Sequence, residues 1–231
     1  MNISYIIPCY NEEKNIEKVY NQIINANKKS EYLDFEIILI NDCSTDNTLS
    51  SFIRLKKIDN RIKIVNNSRN LGLGKSIKVG LKKAKKDYIM YLPGDHCHSS
   101  SEISKLISIK NNYDIILSYY SNKDERAFFR RMFTAFYTPF LNFIFRQNLP
   151  YYNGIAIYKK EIINKINIKT SGFTWQIELL IKILKNKKIK LALKPSILNE
   201  RNEGKSKAFR IKNCLIVIYS IINIWLWNIF N

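Results

Sequence analysis

The chain is short of glycine and proline, with 7 and 5 in 231 residues, which excludes collagen-like and low-complexity architectures. Its four cysteines (Cys9, Cys43, Cys97, Cys214) are widely spaced and contain no Cys-x-x-Cys pair. That excludes a disulfide framework and predicts a reducing compartment. No repeat recurs at solenoid periods. The apolar run near the start, Ile3-Ser4-Tyr5-Ile6-Ile7, lacks the basic flank of a secretory leader and reads as a first strand. Acidic residues are the other scarcity: 19 Asp+Glu face 38 Lys+Arg, a formal net charge of +19. Such a surplus favours anionic partners. No basic recognition helix, zinc module or aromatic sheet signature accompanies it, so nucleic acid is not the expected partner. A membrane surface or a phosphate-bearing ligand is.

The 46% apolar content is enough for a folded core. Apolar runs of strand length alternate with helical periodicity. Ile3–Pro8, Phe35–Ile40, Ile62–Val65, Tyr88–Leu92 and Ile115–Tyr119 read as strands, and Glu12–Asn27, Asp46–Lys57, Gly74–Lys85 and Ser101–Lys110 as helices. Ser44, Thr45 and Asp46 supply N-cap chemistry for the second helix. This alternation predicts an α/β fold: a mostly parallel central sheet with helices on both faces. Past Asn122 the pattern changes to an aromatic helix over Arg126–Arg146, which Pro139 is expected to kink. A strand at Gly154–Tyr158, a helix over Trp175–Lys185, a strand at Ile189–Leu193 and an apolar segment over Cys214–Asn231 follow.

In a parallel α/β sheet, ligands bind beyond the carboxyl ends of the strands. The candidates are therefore the polar residues after each strand: Pro8-Cys9-Tyr10-Asn11-Glu12, Asn41-Asp42, Asn70-Leu71-Gly72 and Gly94-Asp95. A carboxylate such as Asp42 can accept hydrogen bonds from a base or ribose, and the helix N-terminus beyond it suits phosphate. Simple helix capping by Asp46 explains the same segment without a ligand. Asp95, closing Pro93-Gly94-Asp95, is placed to hold Mg²⁺ or Mn²⁺ on a diphosphate leaving group. In an extended backbone the imidazoles of His96 and His98 would share one side, but structural zinc usually needs four such ligands and no second cluster exists. Arg69-Asn70-Leu71-Gly72-Leu73-Gly74-Lys75 lacks Walker spacing and reads equally as a phosphate loop or a flexible helix start.

Taken in order, Pro8-Cys9-Tyr10-Asn11-Glu12-Glu13, Asn41-Asp42 with Ser44 and Asp46, Asn70-Leu71-Gly72-Leu73-Gly74, Asp95, Phe173-Thr174-Trp175-Gln176-Ile177-Glu178 and Arg201-Asn202-Glu203-Gly204-Lys205-Ser206-Lys207 form a recognisable series. The series resembles the family 2 glycosyltransferases of the A-type nucleotide-sugar fold, and among them the dolichol-phosphate mannose synthase-like, polyprenyl-phosphate enzymes. The resemblance implies an inverting hexosyltransferase that moves sugar from a nucleotide-diphosphate sugar to polyprenyl phosphate at the cytoplasmic membrane face. It implies a catalytic domain over 1–207, with a nucleotide-sugar half (1–122) and an acceptor half (123–207), followed by an apolar helix over 208–231. Pro8, Tyr10, Glu12, Asp42, Asn70, Gly72 and Gly94 would bind the donor, and Asp95 would hold the metal. Glu178 and Arg201 would join Asp95 as catalytic residues. Arg126, Arg130, Arg131, Gln176, Ser206 and Lys207 would engage the acceptor and its phosphate.

Two positions depart from the family's pattern. Pro93 stands where it has the first carboxylate of Asp-x-Asp, and Asn41 where it has the first of Asp-Asp. Both changes lower the negative charge around the donor, and His96 or His98 is a candidate replacement ligand. Cys214–Asn231, 18 residues, would make about 27 Å of helix, near the lower limit for spanning a bilayer. An interfacial helix, a packing or dimer helix and a span all stay open, with surface attachment preferred, and so does homo-oligomerisation. Two other functions compete: transfer to a saccharide hydroxyl in surface-polysaccharide assembly, and a non-catalytic nucleotide-sugar or membrane adaptor. For a hydroxyl acceptor a carboxylate base is required, and Glu178 would supply it.

Overall fold

The computed structural model describes residues 2–28, 34–109, 112–121, 128–197 and 211–230, with side chains described outside 128–134 and 211–213. In chain order the elements are β1 (Ile3–Cys9), α1 (Ile16–Lys28), β2 (Phe35–Asn41), α2 (Thr48–Ile58), β3 (Ile62–Asn66), α3 (Leu73–Lys83), β4 (Tyr88–Tyr91) and α4 (Ser100–Ile107). They continue with β5 (Ile115–Tyr120), α5 (Phe128–Phe145), β6 (Ala156–Lys159), α6 (Lys160–Ile163), α7 (Trp175–Leu184), β7 (Leu191–Ser196) and α8 (Ile211–Phe230).

The seven strands form one sheet in the order β3-β2-β1-β4-β6-β5-β7. Every pairing is parallel except those of β6, which runs antiparallel to both β4 and β5. β2 is buried along its whole length, as an unbroken apolar run predicts for an interior strand covered on both faces. In β1 the pleat divides the core: Ile3, Tyr5 and Ile7 face a layer formed with α1, α2 and α4, whereas Ile6 faces α3, α5, α7 and α8. The mostly parallel sheet with helices on both sides is thus as the sequence predicts, with one reversed strand added.

Several boundaries move for local reasons. α1 starts at Ile16 rather than Glu12, because the Glu12 carbonyl accepts the Asn15 and Ile16 amides, each at 3.0 Å, and closes a turn first. Asp46 caps α2 from outside it, accepting the Thr48 amide at 3.0 Å. α5 continues through Pro139; proline there withholds one N–H from the ladder but does not end the helix. β7 extends past Pro195 to Ser196, and its register places Pro195 opposite Tyr119 at the sheet edge, where proline is tolerated.

β1 has β2 on one side and β4 on the other, so the chain runs outward from β1 through β2 and β3 and then crosses back to the far side of β1 at β4. The crevice beyond the carboxyl ends of β1 and β4 is the ligand position that this topology creates.

Candidate active site

The crevice is closed by two loops that touch. A Cβ on Gly94 would stand 2.6 Å from the Cys9 sulfur and 3.4 Å from Glu12 Cγ. Only glycine lets the segment after β4 come that close, and the approach sets Asp95 beside Pro8–Glu12. Burial, then the charges of Glu12, Asp95 and Asp46, push the Cys9 thiol well above its ordinary range. The charges of three loops are thus felt at Cys9, although the Asp46 carboxylate is itself engaged by the Thr48 and Glu13 amides.

The loops beyond β1, β2 and β4 each carry a non-glycine residue in the left-handed region: Asn11 (φ 60°), Cys43 (φ 60°) and His96 (φ 59°). This conformation costs a side-chain-bearing residue about 1–2 kcal/mol, so the surroundings must hold it. For Asn11 the restraints are plain. Its amide donates to Ser44 Oγ at 3.0 Å, its Oδ1 accepts the Thr45 amide at 2.8 Å, and its Nδ2 donates to Thr45 Oγ1 at 3.1 Å. The Glu13 amide donates to Asp46, and Glu13 in turn accepts from the backbone and side chain of Asn47. Asn11 thus laces the first loop to the second. Its signal in the sequence is an asparagine directly after a strand, the residue type that best tolerates this backbone.

Asp42 ends the second strand's loop side, 5% exposed, with its carboxylate turned inward. It accepts the Leu71 amide at 2.8 Å, the Gly72 amide at 2.9 Å and Asn67 Nδ2 at 2.9 Å. Asn70 Nδ2 donates to the Asp42 carbonyl at 3.2 Å, and Gly72 adopts φ 82°. Asp42 therefore fastens the turn that starts α3.

α7 approaches from the second half of the chain. Trp175, its first residue, meets Tyr91, the last residue of β4, edge to face at 5.2 Å between centroids. Gln176 donates to the Gly154 carbonyl at 2.6 Å and is 2% exposed, so it ties α7 to the segment that leads into β6. Glu178 is equally buried. Its carboxylate accepts the Lys169 amide (2.8 and 3.0 Å), the Thr170 amide (2.7 Å) and the Lys182 ammonium (2.5 Å). Burial pushes its acidity down, but Lys182 and these amides outweigh burial and hold the carboxyl below the usual range.

The two histidines do not share a side. His96, left-handed, breaks the extended backbone that alternation requires. His98 turns inward, 4% exposed, stacked on Tyr120 at 6.1 Å, and its Nδ1 has no hydrogen-bond partner among the described residues. Burial pushes its pKa down to about 4. Among the described residues no group of three or more His, Cys, Asp or Glu is arranged to hold a metal ion alone. A single carboxylate such as Asp95 would suit Mg²⁺ or Mn²⁺ that arrives with a diphosphate, whose charged oxygens would supply the remaining ligands.

Of the candidate residues, Pro8, Tyr10 and Glu12 belong to the end of β1 and the loop after it, against which Gly94 packs with Asp95 next in the chain, while Asp42, Asn70 and Gly72 are joined by hydrogen bonds at the end of β2. Gln176 and Glu178 lie behind Trp175 in the body of α7. Arg130 and Arg131 fall on α5 with their side chains outside the description, and Arg126, Arg201, Ser206 and Lys207 lie outside the described residues. A buried carboxylate that the sequence does not announce is Glu102. Its amide donates to Ser99 Oγ at 3.2 Å, capping α4, and its side chain accepts the Ile197 amide at 3.2 Å beyond β7.

Residues 4–167 match the model of glycosyl transferase family 2. A dolichol-phosphate mannosyltransferase of Pyrococcus furiosus is 27% identical over 96% of this chain and 64% of its own length. An undecaprenyl-phosphate 4-deoxy-4-formamido-L-arabinose transferase of Proteus mirabilis is 28% identical over 54% of this chain and 39% of its own. The chain thus spans less than two thirds of either relative. In fold it is similar to glucosyl-3-phosphoglycerate synthase of Mycobacterium tuberculosis, solved with Mn²⁺, UDP and phosphoglyceric acid. That likeness has a TM-score of 0.72 at 18% identity, covering 98% of this chain and 78% of the other.

Proposed function

The chain belongs to glycosyl transferase family 2, and from that membership we propose that it moves a sugar from a nucleotide-diphosphate sugar to a polyprenyl-phosphate acceptor. The observation that carries the reading is the close approach of Gly94 to Cys9 and Glu12, which brings Asp95 beside the loop after β1 at the carboxyl ends of β1 and β4. The two relatives, each named for transfer to a polyprenyl phosphate, support the acceptor class.

Pro8, Tyr10 and Glu12 line the nucleotide end of the pocket, while Asp42, Asn70 and Gly72 shape its wall. Asp95 holds the divalent ion, which when bound neutralises the charge that develops on the departing diphosphate. The acceptor oxygen attacks the anomeric carbon in line, with inversion. A phosphate acceptor is already ionised near neutral pH, so placing and charge neutralisation matter more than proton abstraction. Arg126, Arg130, Arg131, Arg201, Ser206 and Lys207 are assigned to the acceptor phosphate on chemical type. The division into donor half (1–122) and acceptor half (123–207) follows from the same assignment.

The working place is the cytoplasmic face of a membrane, by surface attachment. Among the described residues no helix is long and apolar enough to cross one. Phe136, Phe140 and Phe143 project from one side of α5, 74%, 52% and 84% exposed, and Leu215, Tyr219 and Ile222 from one side of α8, which packs on α5. Apolar faces of this kind on a chain of net charge +19 suit an anionic bilayer interface.

The test is a donor screen. UDP-, GDP- and other nucleotide sugars with Mn²⁺ are compared by thermal shift, since a ligand of the folded state raises its apparent stability. The preferred donor is then assayed with short-chain polyprenyl phosphate against saccharide acceptors. Transfer only to saccharide hydroxyls would refute the acceptor assignment, and the absence of any transfer would refute the activity.

A further inference from the structure

We infer that Glu178 is a positioning residue for the donor pocket, acting through the 169–171 segment on the turn that starts α3, and that it is not the proton acceptor of transfer. The inference rests on the nucleotide-sugar reading above but departs from the role that the family resemblance implies for this residue.

Four links carry it, each a backbone or charged hydrogen bond. Glu178 accepts the Lys169 and Thr170 amides and the Lys182 ammonium, and Lys182 also donates to the Asn167 carbonyl at 2.6 Å. The segment so held presents the next carbonyl, Ser171, to the Gly74 amide at 2.8 Å. Contact there is backbone to backbone: a Cβ on Gly74 would stand 2.7 Å from the Thr170 oxygen and 2.9 Å from the Ser171 carbonyl carbon. On its other side the same turn offers the Leu71 and Gly72 amides to the carboxylate of Asp42. Glu178 therefore props the turn from behind while Asp42 holds it from the pocket.

A general base needs reach to the acceptor proton and an open lone pair. Glu178 is 2% exposed and accepts four hydrogen bonds from three donor groups. Replacing it by glutamine removes the charge that holds two amides and a buried ammonium, and leaves Lys182 without a counter-ion, its side chain 6% exposed.

The experiment uses the full chain with Mn²⁺. Dissociation constants for UDP and GDP are measured by calorimetry, with kcat and donor KM for whichever sugar nucleotide turns over. Glu178→Gln is expected to weaken nucleotide binding and raise donor KM about tenfold while kcat at saturating donor stays within about threefold. Gly74→Ala, which wedges the same seam without touching the carboxylate, is expected to do likewise. Because both act on one contact, the double variant should fall well short of the product of the two effects. A merely structural loss would lower the active fraction and leave KM unmoved. If Glu178→Gln gives no cooperative melt, Gly74→Ala decides alone. Unchanged binding in a folded variant overturns the inference, as does a fall in kcat of about 10³-fold with KM intact and the acid limb of the pH profile gone, the mark of a lost base. Wild-type protein that binds neither nucleotide sinks the nucleotide-sugar reading, and this inference with it.

Discussion

Gly94 lies so close against Cys9 that a single added methyl group would stand 2.6 Å from the sulfur. Gly94→Ala should therefore push Asp95 away from Pro8–Glu12 and lower transfer by about 10²-fold, a typical cost of misplacing a catalytic group by about an ångström. Removing the sulfur in Gly94→Ala/Cys9→Ala should restore a measurable part of the rate, because the next neighbour, Glu12 Cγ, is 3.4 Å away. Transfer rates of the two single variants and the double variant, beside their melting temperatures, check this.

Asp95→Ala should reduce Mn²⁺-supported transfer by about 10²–10³-fold while the variant still melts cooperatively. Chelation of wild-type protein should have the same effect, reversed by added Mn²⁺. Full activity in Asp95→Ala would show that the metal is held elsewhere.

His98 should make the metal-free protein acid-sensitive above the carboxylate range. Its pKa is pushed down to about 4 by burial, with the charges of Asp95 and Glu102 opposing, against about 6.5 in an unfolded chain. The unfolded state then binds the extra proton first. The stabilising contribution is present above pH 6.5 and lost as pH falls towards 4, by up to about 3 kcal/mol. His98→Phe, which keeps a ring against Tyr120, should flatten stability across that window in urea titrations at successive pH values.

The phenylalanines of α5 are expected to mediate surface attachment. Replacing Phe136, Phe140 and Phe143 together by serine should weaken partition onto anionic phospholipid vesicles at least about tenfold and leave nucleotide binding intact. Vesicle sedimentation and calorimetry separate the two. Equal partition of wild type and variant would assign this face to a protein contact.

The first half of the fold is legible in the sequence because its strands are apolar runs bounded by polar turns, and its helices carry one apolar face. Periodicity finds such elements to within a few residues. What periodicity cannot carry is direction: nothing in Ala156–Lys159 distinguishes a reversed strand from a parallel one, since both are buried on two faces. The crevice is legible for the same topological reason, as polar residues following strands. The inward turn of Asp42, Gln176 and Glu178 is not, because a carboxylate or amide reads alike in sequence whether it meets ligand or backbone amides. The alternation of His96 and His98 misleads because a left-handed residue between strand and helix resets which side each next residue faces. Asn11 shows the converse, a polar residue whose backbone conformation, more than its side-chain chemistry, explains its place.

The ring of Trp227 lies under the ammonium groups of Lys182 and Lys185, at 4.9 and 5.4 Å, while Ile221 and Ile224 of the same helix are sunk in the core. A shortened version cut before α8, made to ease purification, would strip the cover from α7 and remove the ring beneath the lysine that neutralises Glu178. Such a fragment should bind nucleotide poorly even though every residue of the crevice is still in it.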